Sequence, residues 1–590
     1  MKKIYSGLLL ACLLPAIIFL AACRPSVTTP SVLSTTSPLT TTTVVTLTPS
    51  EEPKYGGTLS LPGALDIGIF DPAATGQFMG MAGSLVYESY LGVDWARGVA
   101  GSGEWDIANP IVSPDICASI LTESWNMPSL GTIIFKVRRG VHWSVNPKSE
   151  ASRLMTGREV TPEDWVSNFN YYMRSPRSPI RNYAPQLIGT ATLEKTGPWE
   201  VTLKTPVDPS WGWDYLAVGS GFYYLLPPEV IQKYGDMRDW HNAVGTGPFI
   251  LTDFVASSSA TLVKNPGYWG KDSAGLGKGN RLPYLGGVKI LVIPDVSTQL
   301  SALRTGKIDT LNSLDRDDAI SLVQSSPDLV HRTYISPHPI VFAMRTDKDE
   351  LPYKDKRVRQ AMMMAIDWYS IVEDIQGGEG EILAFPISKA YQRPYMPLEE
   401  MPTSTQALFQ YSPDKAKQLL SDAGFMDGFD VKVIVSPSLL EPAIVFKEMW
   451  GKVGIELELQ TREGGVYGSI VYTRAYEDML LYMAIQGYPN FLNFTLFRGK
   501  TSWSYVNDSV IDNAYLEMQE HILVDMPGAD RLYRQTIPYI VEQAYYIPVP
   551  SPHFYTLWWP WLKNYHGEGV GLVKYFWIDQ DLKEEMTGRR

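Results

Sequence analysis

Cysteine and positive charge are both scarce in this chain of 590 residues. Its three cysteines are Cys12, Cys23 and Cys117, and Cys12 lies inside an N-terminal apolar run. A disulfide framework is therefore not expected, and Cys117 is predicted to be a small buried side chain rather than a nucleophile. Lys and Arg total 51 against 63 Asp and Glu, a net charge of −12. Because nucleic-acid binding requires clustered positive charge, this balance argues against a nucleic-acid partner.

Motifs of catalysis and metal binding are also missing. The seven histidines include no H-E-x-x-H and no pair at i, i+4, so no zinc site is predicted. The chain has no G-x-S-x-G nucleophile elbow, no EF-hand loop and no dinucleotide fingerprint. Catalytic triads can be assembled from scattered residues, so a membrane-tethered hydrolase stays open as an alternative. Our expectation is a protein that is not an enzyme and that holds no cofactor, no metal and no catalytic residue.

Long apolar runs are absent beyond the N-terminus. Lys2 and Lys3 precede an apolar run over residues 8–20, which is followed by Ala21, Ala22 and Cys23. This run is shorter than the ~20 residues that span a bilayer, and Pro15 interrupts it. A positive start, a short apolar segment and small residues before a cysteine are typical of a bacterial lipoprotein signal. We predict that residues 1–22 are removed and that the sulfur of Cys23 carries lipid, which anchors the chain outside the cytoplasm on the cell membrane.

A segment poor in apolar residues follows. Roughly two-thirds of residues 24–53 are Ser, Thr or Pro. Such a composition cannot bury enough apolar area to offset the entropy lost on ordering. We therefore predict a flexible tether over residues 23–54, with about 30 Å of root-mean-square reach, which lets a globular body move around a membrane partner.

The most informative stretch that is present runs over residues 245–270, GTGPFILTDFVASSSATLVKNPGYWG. Residues 249–255 and 260–264 are rich in β-branched and aromatic side chains, and small serines separate them. This pattern predicts a β-hairpin. Gly245 and Gly247 are expected to supply freedom of φ where the chain enters it.

This stretch resembles the solute-binding proteins of ABC importers of family 5, which include oligopeptide, dipeptide and nickel binders. Their pattern is a GTGP-type turn, a hairpin and an Asn shortly before Tyr-Trp. The matching residues here are Gly245-Thr246-Gly247-Pro248, Asn265 and Tyr268-Trp269. Further matches extend over most of residues 55–580, among them Tyr55-Gly56-Gly57-Thr58-Leu59, Val358-Arg359-Gln360-Ala361 and the element over residues 411–425.

Helical and strand patterns alternate along the chain, as in an α/β protein. Thr161-Pro162 opens a predicted helix whose Trp165, Phe169 and Tyr172 form an aromatic stripe, which we expect to pack on a sheet. A strand over residues 430–435, a helix near Met449 and a strand over residues 455–460 predict a βαβ unit.

The resemblance implies a two-lobed α/β fold like that of periplasmic binding proteins, of type II in its large cluster C form, with an additional inserted domain. Mapped through the motifs, lobe I takes residues 55–95, 220–335 and 545–590. The inserted domain takes residues 96–219, and lobe III takes residues 336–544.

The resemblance also implies a function. The chain is expected to be a monomeric solute-binding protein that captures a peptide-like solute between its lobes and delivers it to the permease subunits of an ABC importer. The same fold with a sugar, an opine or a metal chelate as ligand is the alternative. The ligand-binding residues that we expect are Phe70, Tyr482, Gln486, Gly487, Tyr488, Asn490 and Trp503.

One position departs from the peptide-binding pattern. In peptide-binding members, an Asp in a W-x-x-D-Y stretch holds the α-ammonium of the ligand. The matching stretch here covers residues 482–490, and Gly487 stands where the Asp is expected. A buried ammonium without a carboxylate is costly. We therefore expect a free peptide amine to matter little, with Asp478 as the nearest upstream acid that could replace the missing one.

Overall fold

A computed structural model describes residues 51–63, 70–74, 82–95, 114, 117–218, 223–484, 502–567 and 570–590. All structural statements below concern these residues. Within them, no helix combines the length and the apolar character that crossing a membrane requires.

The strands belong to several sheets and are numbered along the chain. They are β1 (Thr58–Gly63), β2 (Leu91–Val93), β3 (Cys117–Ser119), β4 (Thr122–Ser129), β5 (Thr132–Val137), β6 (Thr192–Gly197), β7 (Glu200–Lys204), β8 (Phe249–Val255), β9 (Ser259–Lys264), β10 (Gly287–Val292), β11 (Thr310–Leu314), β12 (Val330–Ile335), β13 (Ile340–Met344), β14 (Gly380–Glu381), β15 (Phe429–Val435), β16 (Ile455–Thr461), β17 (Met479–Met483), β18 (Tyr546–Pro548), β19 (Ser551–Trp558), β20 (Leu562–Lys563) and β21 (Trp577–Ile578).

The α-helices range from single turns to five turns. They are α1 (Gly83–Val86), α2 (Glu150–Met155), α3 (Pro162–Arg174), α4 (Pro179–Tyr183), α5 (Pro209–Gly212), α6 (Pro228–Tyr234), α7 (Val296–Arg304), α8 (Arg316–Ser325), α9 (Lys356–Met364), α10 (Trp368–Ser370), α11 (Thr403–Gln406), α12 (Pro413–Asp422), α13 (Leu440–Gly451), α14 (Gly464–Thr473), α15 (Ser509–His521), α16 (Met526–Gln543) and α17 (Gln580–Thr587). Two π-helical segments cover Trp213–Val218 and Ile371–Ile375.

The predicted hairpin is present as β8 and β9. The two strands pair antiparallel, and Ser257, with φ of 56°, lies in the turn between them. They form one edge of a four-stranded sheet in the order β1-β10-β9-β8, in which β1 runs parallel to β10. The hairpin prediction is therefore confirmed.

The expected role of the two glycines before this hairpin is wrong. Neither Gly245 nor Gly247 adopts a positive φ. Instead, a Cβ on Gly245 would lie 2.0 Å from the carbonyl oxygen of Val86, and one on Gly247 would lie 2.6 Å from the same atom. Both positions require glycine because two backbone segments approach closely, and not because the chain needs a special dihedral angle.

A second four-stranded sheet has the order β4-β5-β7-β6 and is antiparallel throughout. Helix α3 begins at Pro162, after Thr161, and packs on β6 and β7. Its side chains Trp165, Phe169 and Tyr172 are buried. Trp165 stacks on Tyr90 with ring centroids 3.6 Å apart and an interplanar angle of 8°. The aromatic stripe therefore belongs to the core, as predicted.

A five-stranded sheet has the order β16-β15-β17-β13-β18. Strand β15 runs parallel to β16 and β17, whereas β13 is antiparallel to β17 and β18. Because α13 joins β15 to β16, the predicted βαβ unit is confirmed. Phe446 and Trp450 of α13 pack on Phe342 of β13, with centroid distances of 4.9 and 5.0 Å.

The two ends of the described chain meet at a buried carboxylate. Asp309 is fully buried and accepts hydrogen bonds from Ser60 N (2.7 Å), Trp561 Nε1 (2.7 Å) and Lys583 Nζ (2.8 Å). These partners belong to β1, to the loop before β20 and to α17. One side chain therefore joins the first strand to the C-terminal helix.

Candidate binding site between two sheets

The chain passes twice between the five-stranded sheet and a neighbouring sheet, which we call the β19 sheet (β11-β19-β12, with β14 paired to β19). Residues 336–339 connect β12 to β13, and residues 549–550 connect β18 to β19. Val549 N donates to Ile340 O at 2.9 Å, so the two connections run side by side. Two adjacent connections between two sheets have the form of a hinge. We call these two segments the crossover.

Strand β17 ends at the crossover, where Ala484 N donates to Pro339 O at 2.8 Å. Tyr482, two residues earlier, is only 2% exposed. Its ring stacks on Trp503, with centroids 5.1 Å apart and planes inclined by 22°. The structure thus brings together two of the residues expected to bind ligand.

The hydroxyl of Tyr482 is buried; it makes no hydrogen bond of good geometry with a described residue, but it interacts with the side chain of Tyr546. Burial raises the pKa of Tyr482 well above its usual value, so the hydroxyl stays protonated. Because a hydroxyl both donates and accepts, it could bind a peptide amide or another polar ligand group.

Trp503 is held in position from several sides. Its Nε1 donates to Val471 O at 2.8 Å, and the guanidinium of Arg474 lies 5.2 Å from its ring centroid. The hydroxyl of Tyr476 donates to the carbonyl oxygen of Trp503. The indole is therefore oriented by protein contacts alone, as a preformed stacking surface requires.

Polar side chains also lie in and beside the first connection. Ser336 Oγ accepts from His338 N at 3.1 Å, and Ser388 Oγ donates to Ser336 O at 2.7 Å. Burial lowers the pKa of His338, so its imidazole is neutral at physiological pH. The sequence interpretation did not select these residues, although Pro337 and Pro339 mark a break between two strand-like runs.

Two carboxylates on and next to β14 face the β19 sheet. Glu379 accepts a hydrogen bond from the hydroxyl of Tyr555, and its Oε2 lies 3.6 Å from Arg316 Nε of α8. Glu381 accepts from Lys389 Nζ at 2.8 Å and lies 3.7 Å from His553. Burial alone would raise the pKa of Glu381, but the nearby imidazole of His553 and the hydrogen bond from Lys389 outweigh it and lower the pKa. Glu381 therefore stays ionised beside the crossover.

Asp478, the upstream acid considered in place of the missing Asp, lies at the far end of β17. It precedes β17 at the end opposite to Ala484, and at about 3.3 Å per residue the two are separated by roughly 20 Å. Its Oδ2 accepts from Lys432 N at 2.7 Å, and burial raises its pKa. Asp478 therefore lies far from the crossover along β17.

No contact between described residues brings the other predicted site residues to the Tyr482–Trp503 stack. Phe70 is buried and packs edge-on against Phe254 of β8, with centroids 4.9 Å apart. Gln486, Gly487, Tyr488, Asn490 and the predicted lipidation residue Cys23 lie outside the described residues. Within the described ranges, no group of three or more His, Cys, Asp or Glu side chains could hold a metal ion.

Comparison with known proteins gives a family match. The family described as "Bacterial extracellular solute-binding proteins, family 5 Middle" matches residues 118–505, about two thirds of the chain. Heme-binding protein A of Haemophilus influenzae is 24% identical over 497 residues, covering 78% of this chain and 84% of that protein. Oligopeptide-binding protein AppA of Bacillus subtilis is 25% identical over 364 residues, covering 57% of this chain and 61% of AppA.

A solved structure shares the fold. The ABC transporter-associated periplasmic binding protein DppA from Helicobacter pylori, in complex with the peptide STSA, is similar with a TM-score of 0.69. The two chains are 19% identical, and the match covers 89% of this chain and 99% of that one. This likeness confirms the predicted two-lobed α/β fold.

Proposed function

Because the chain belongs to the bacterial extracellular solute-binding proteins of family 5, we propose that it captures a peptide-like solute at the crossover and delivers it to the permease subunits of an ABC importer. The observation that carries this proposal is the Tyr482–Trp503 stack, which places a buried hydroxyl beside a fixed indole ring. A partly apolar ligand with amide groups would use both features.

The class of protein follows from the family. The relatives are named as binding proteins, so the chain is a binding protein and not the tethered hydrolase that we weighed as the rival class. The named ligands of the relatives differ, heme in one and oligopeptides in the other. The proposal of a peptide-like ligand therefore depends on the crossover residues, and a sugar, an opine or a metal chelate is the alternative.

We also propose the three-domain division given above and a monomeric state.

Closure of the lobes would couple binding to delivery. A ligand shifts an equilibrium between open and closed forms only if it binds one form better. Tyr482 and Trp503 belong to the five-stranded side of the crossover, whereas Tyr555 and Arg316 belong to the side of the β19 sheet. A ligand that contacts both sides gains its full set of contacts only in the closed form, so we expect binding to stabilise that form.

This proposal predicts that a peptide ligand is lost when the stack is removed. Trp503→Ala is expected to weaken binding about tenfold or more, because it deletes the ring surface and releases Tyr482. Peptides are first selected from a tetrapeptide library by native mass spectrometry of the purified protein and are then titrated by calorimetry. Trp199→Ala, in the turn between β6 and β7, is the matched control and should bind normally.

Two further measurements separate the possible outcomes. Small-angle scattering should show a smaller radius of gyration once the peptide is bound, and an unchanged radius would contradict closure. Each peptide is also titrated in N-acetylated form, because Gly487 offers no carboxylate. A preference for the free amine above tenfold would show that another acid serves it, with Glu379 and Glu381 as the first candidates. Retention of a sugar or metal chelate instead of any peptide would favour the alternative ligands.

We further propose that the chain is a lipoprotein anchored through Cys23 and carried on the tether of residues 23–54. The support is the signal pattern that ends at Cys23 and the Ser/Thr/Pro-rich composition that follows it. A tether of this kind would keep the binding protein near its permease partner and raise its effective concentration there.

Cys23→Ser is expected to abolish lipid attachment, because the sulfur is the acceptor. Wild-type protein should then partition into the detergent phase of a two-phase separation and begin at residue 23, whereas the variant should keep its leader or be released. Cys12→Ser lies within the same leader and is the matched control, expected to be processed normally. Wild-type protein in the aqueous phase with residues 1–22 still attached would contradict the proposal.

A further inference from the structure

A cavity of about 530 Å³ lies outside the crossover. Its walls come from β2 and β3, from the turn after β9 and from the segment that precedes β21. None of the crossover residues lines it. A volume of this size is within the range of pockets that hold small organic molecules.

Aromatic rings form much of its wall. Trp95 stacks on Tyr575 with centroids 4.8 Å apart and planes inclined by 12°, and Trp269 lies beside Tyr268 at 5.5 Å. Trp269 and Tyr575 are partly buried and pack against a buried cluster that includes Tyr284 and Trp577. These rings rest on the core and are therefore rigid surfaces for a planar ligand.

Arg138 is held in this wall by hydrogen bonds to backbone carbonyl oxygens. Its Nε donates to Ile120 O at 2.6 Å, and its Nη2 donates to Ser119 O at 3.1 Å and Thr122 O at 2.8 Å. The guanidinium lies 4.6 Å from the ring centroid of Trp269. The charges of Glu88 and Glu123 act on it, but among the described residues neither forms an ion pair with it. The hydrogen bonds to described residues use Nε and Nη2, so Nη1 is available to a ligand.

Lys574 is a second cation, and no described acid forms an ion pair with it. Among the described residues, its Nζ donates to Tyr268 Oη at 3.3 Å, and the Tyr268 hydroxyl in turn donates to Glu88 Oε1 at 2.7 Å. Glu88 also accepts from Trp269 Nε1 at 3.0 Å, so neutral donors occupy this carboxylate. Burial lowers the pKa of Lys574, while the charge of Glu88 acts to raise it. An anion in the cavity would supply the acceptor that the ammonium lacks.

The charges of the lining decide the class of ligand. Arg138, Lys574 and the exposed Lys271 line the cavity together with a single acid, Asp94. We propose that this cavity is a second binding site, which takes a small planar organic acid with its carboxylate between Arg138 and Lys574 and its ring against Trp269. Asp94 disfavours a second acidic group, so a monocarboxylate fits better than a dicarboxylate. This site is independent of the solute proposed for the crossover.

The test compares an aromatic acid with its neutral amide. By calorimetry, 2-naphthoate is expected to bind at least about tenfold tighter than 2-naphthamide, because only the acid completes charge-assisted hydrogen bonds. Lys574→Met should weaken naphthoate binding about tenfold while leaving the amide nearly unchanged. Lys278→Met, in the loop after β9 but outside the lining, is the matched control and should bind as wild type does.

Two further results keep the test decisive. If Lys574→Met does not fold, Lys271→Met at the exposed rim should still weaken naphthoate binding about threefold. A crystal structure with naphthoate should show it against Trp269. Equal affinity for acid and amide, unchanged affinity in both lysine variants, or naphthoate found only beside Tyr482 and Trp503 would overturn the proposal. Failure at this site leaves the peptide titration at the crossover unaffected, so the two hypotheses are tested separately.

Discussion

Asp309→Ala is expected to lower the free energy of unfolding by about 3–5 kcal/mol, because it leaves a buried ammonium without its counterion. Lys583 Nζ lies 2.8 Å from the Asp309 carboxylate, and the two side chains are 9% and 0% exposed. The substitution also removes the acceptor of Ser60 N and of Trp561 Nε1. Urea unfolding followed by tryptophan fluorescence should show the loss as a lower midpoint.

A matched acid on α17 provides the control for Asp309. Asp581 is 76% exposed and pairs with Lys54 at 3.9 Å and Arg590 at 3.2 Å. Exposed pairs contribute little, so Asp581→Ala should change the free energy of unfolding by less than about 1 kcal/mol. Asp309→Asn keeps a neutral acceptor and should lie between the two. An Asp309→Ala protein as stable as Asp581→Ala would show that Lys583 finds another partner or reaches solvent.

Gly245→Ala is the second substitution with a large expected effect. The added Cβ would lie 2.0 Å from Val86 O and 2.8 Å from the ring of Tyr87. Overpacking costs about 1–3 kcal/mol when side chains can adjust. Here the obstacle is a backbone carbonyl at the end of α1, so we expect the upper end of that range. Urea unfolding measures the stability, and hydrogen exchange of the β8 and β9 amides should locate the disturbance at the hairpin.

Replacing a glycine that has no close neighbours by alanine should raise the stability instead of lowering it. Gly468 lies inside α14, and no atom outside its own helix lies within 4 Å of a Cβ built there. Because glycine is a poor helix former, Gly468→Ala should raise the free energy of unfolding by about 0.5–1 kcal/mol. If Gly245→Ala were equally harmless, the close approach to Val86 would not be a constraint on this sequence.

Predictions from the local sequence pattern were correct for features that depend on a single strand, helix or short unit. Runs of β-branched and aromatic residues placed β8 and β9, the order strand, helix, strand predicted the βαβ unit, and the aromatic stripe of α3 identified its buried face. The role of Gly245 was predicted wrongly because local pattern suggests only local explanations, such as a special dihedral angle. The actual constraint is a close approach to the backbone of Val86, which is far away in the sequence.

The candidate site was only partly predictable. Tyr482 and Trp503 were selected through the resemblance, and the structure stacks them. Glu381 and His338 were not selected, because their position beside the crossover depends on β14 pairing with β19 and on β12 leading into β13. Nothing in the residues around Glu381 indicates that pairing, since a two-residue strand has no periodic pattern of its own.

The sequence by itself determined the lipoprotein signal pattern, the composition of the tether, the periodicity of individual helices and strands, and the family motifs, because each is a property of neighbouring residues. Only the tertiary structure decided that β13 lies between β17 and β18 and that β19 lies between β11 and β12. It also decided that Arg138 and Lys574 line one cavity. The physical reason is that strand order and cavity walls follow from burial summed over residues distant in the chain, whereas local propensities constrain only the elements being assembled.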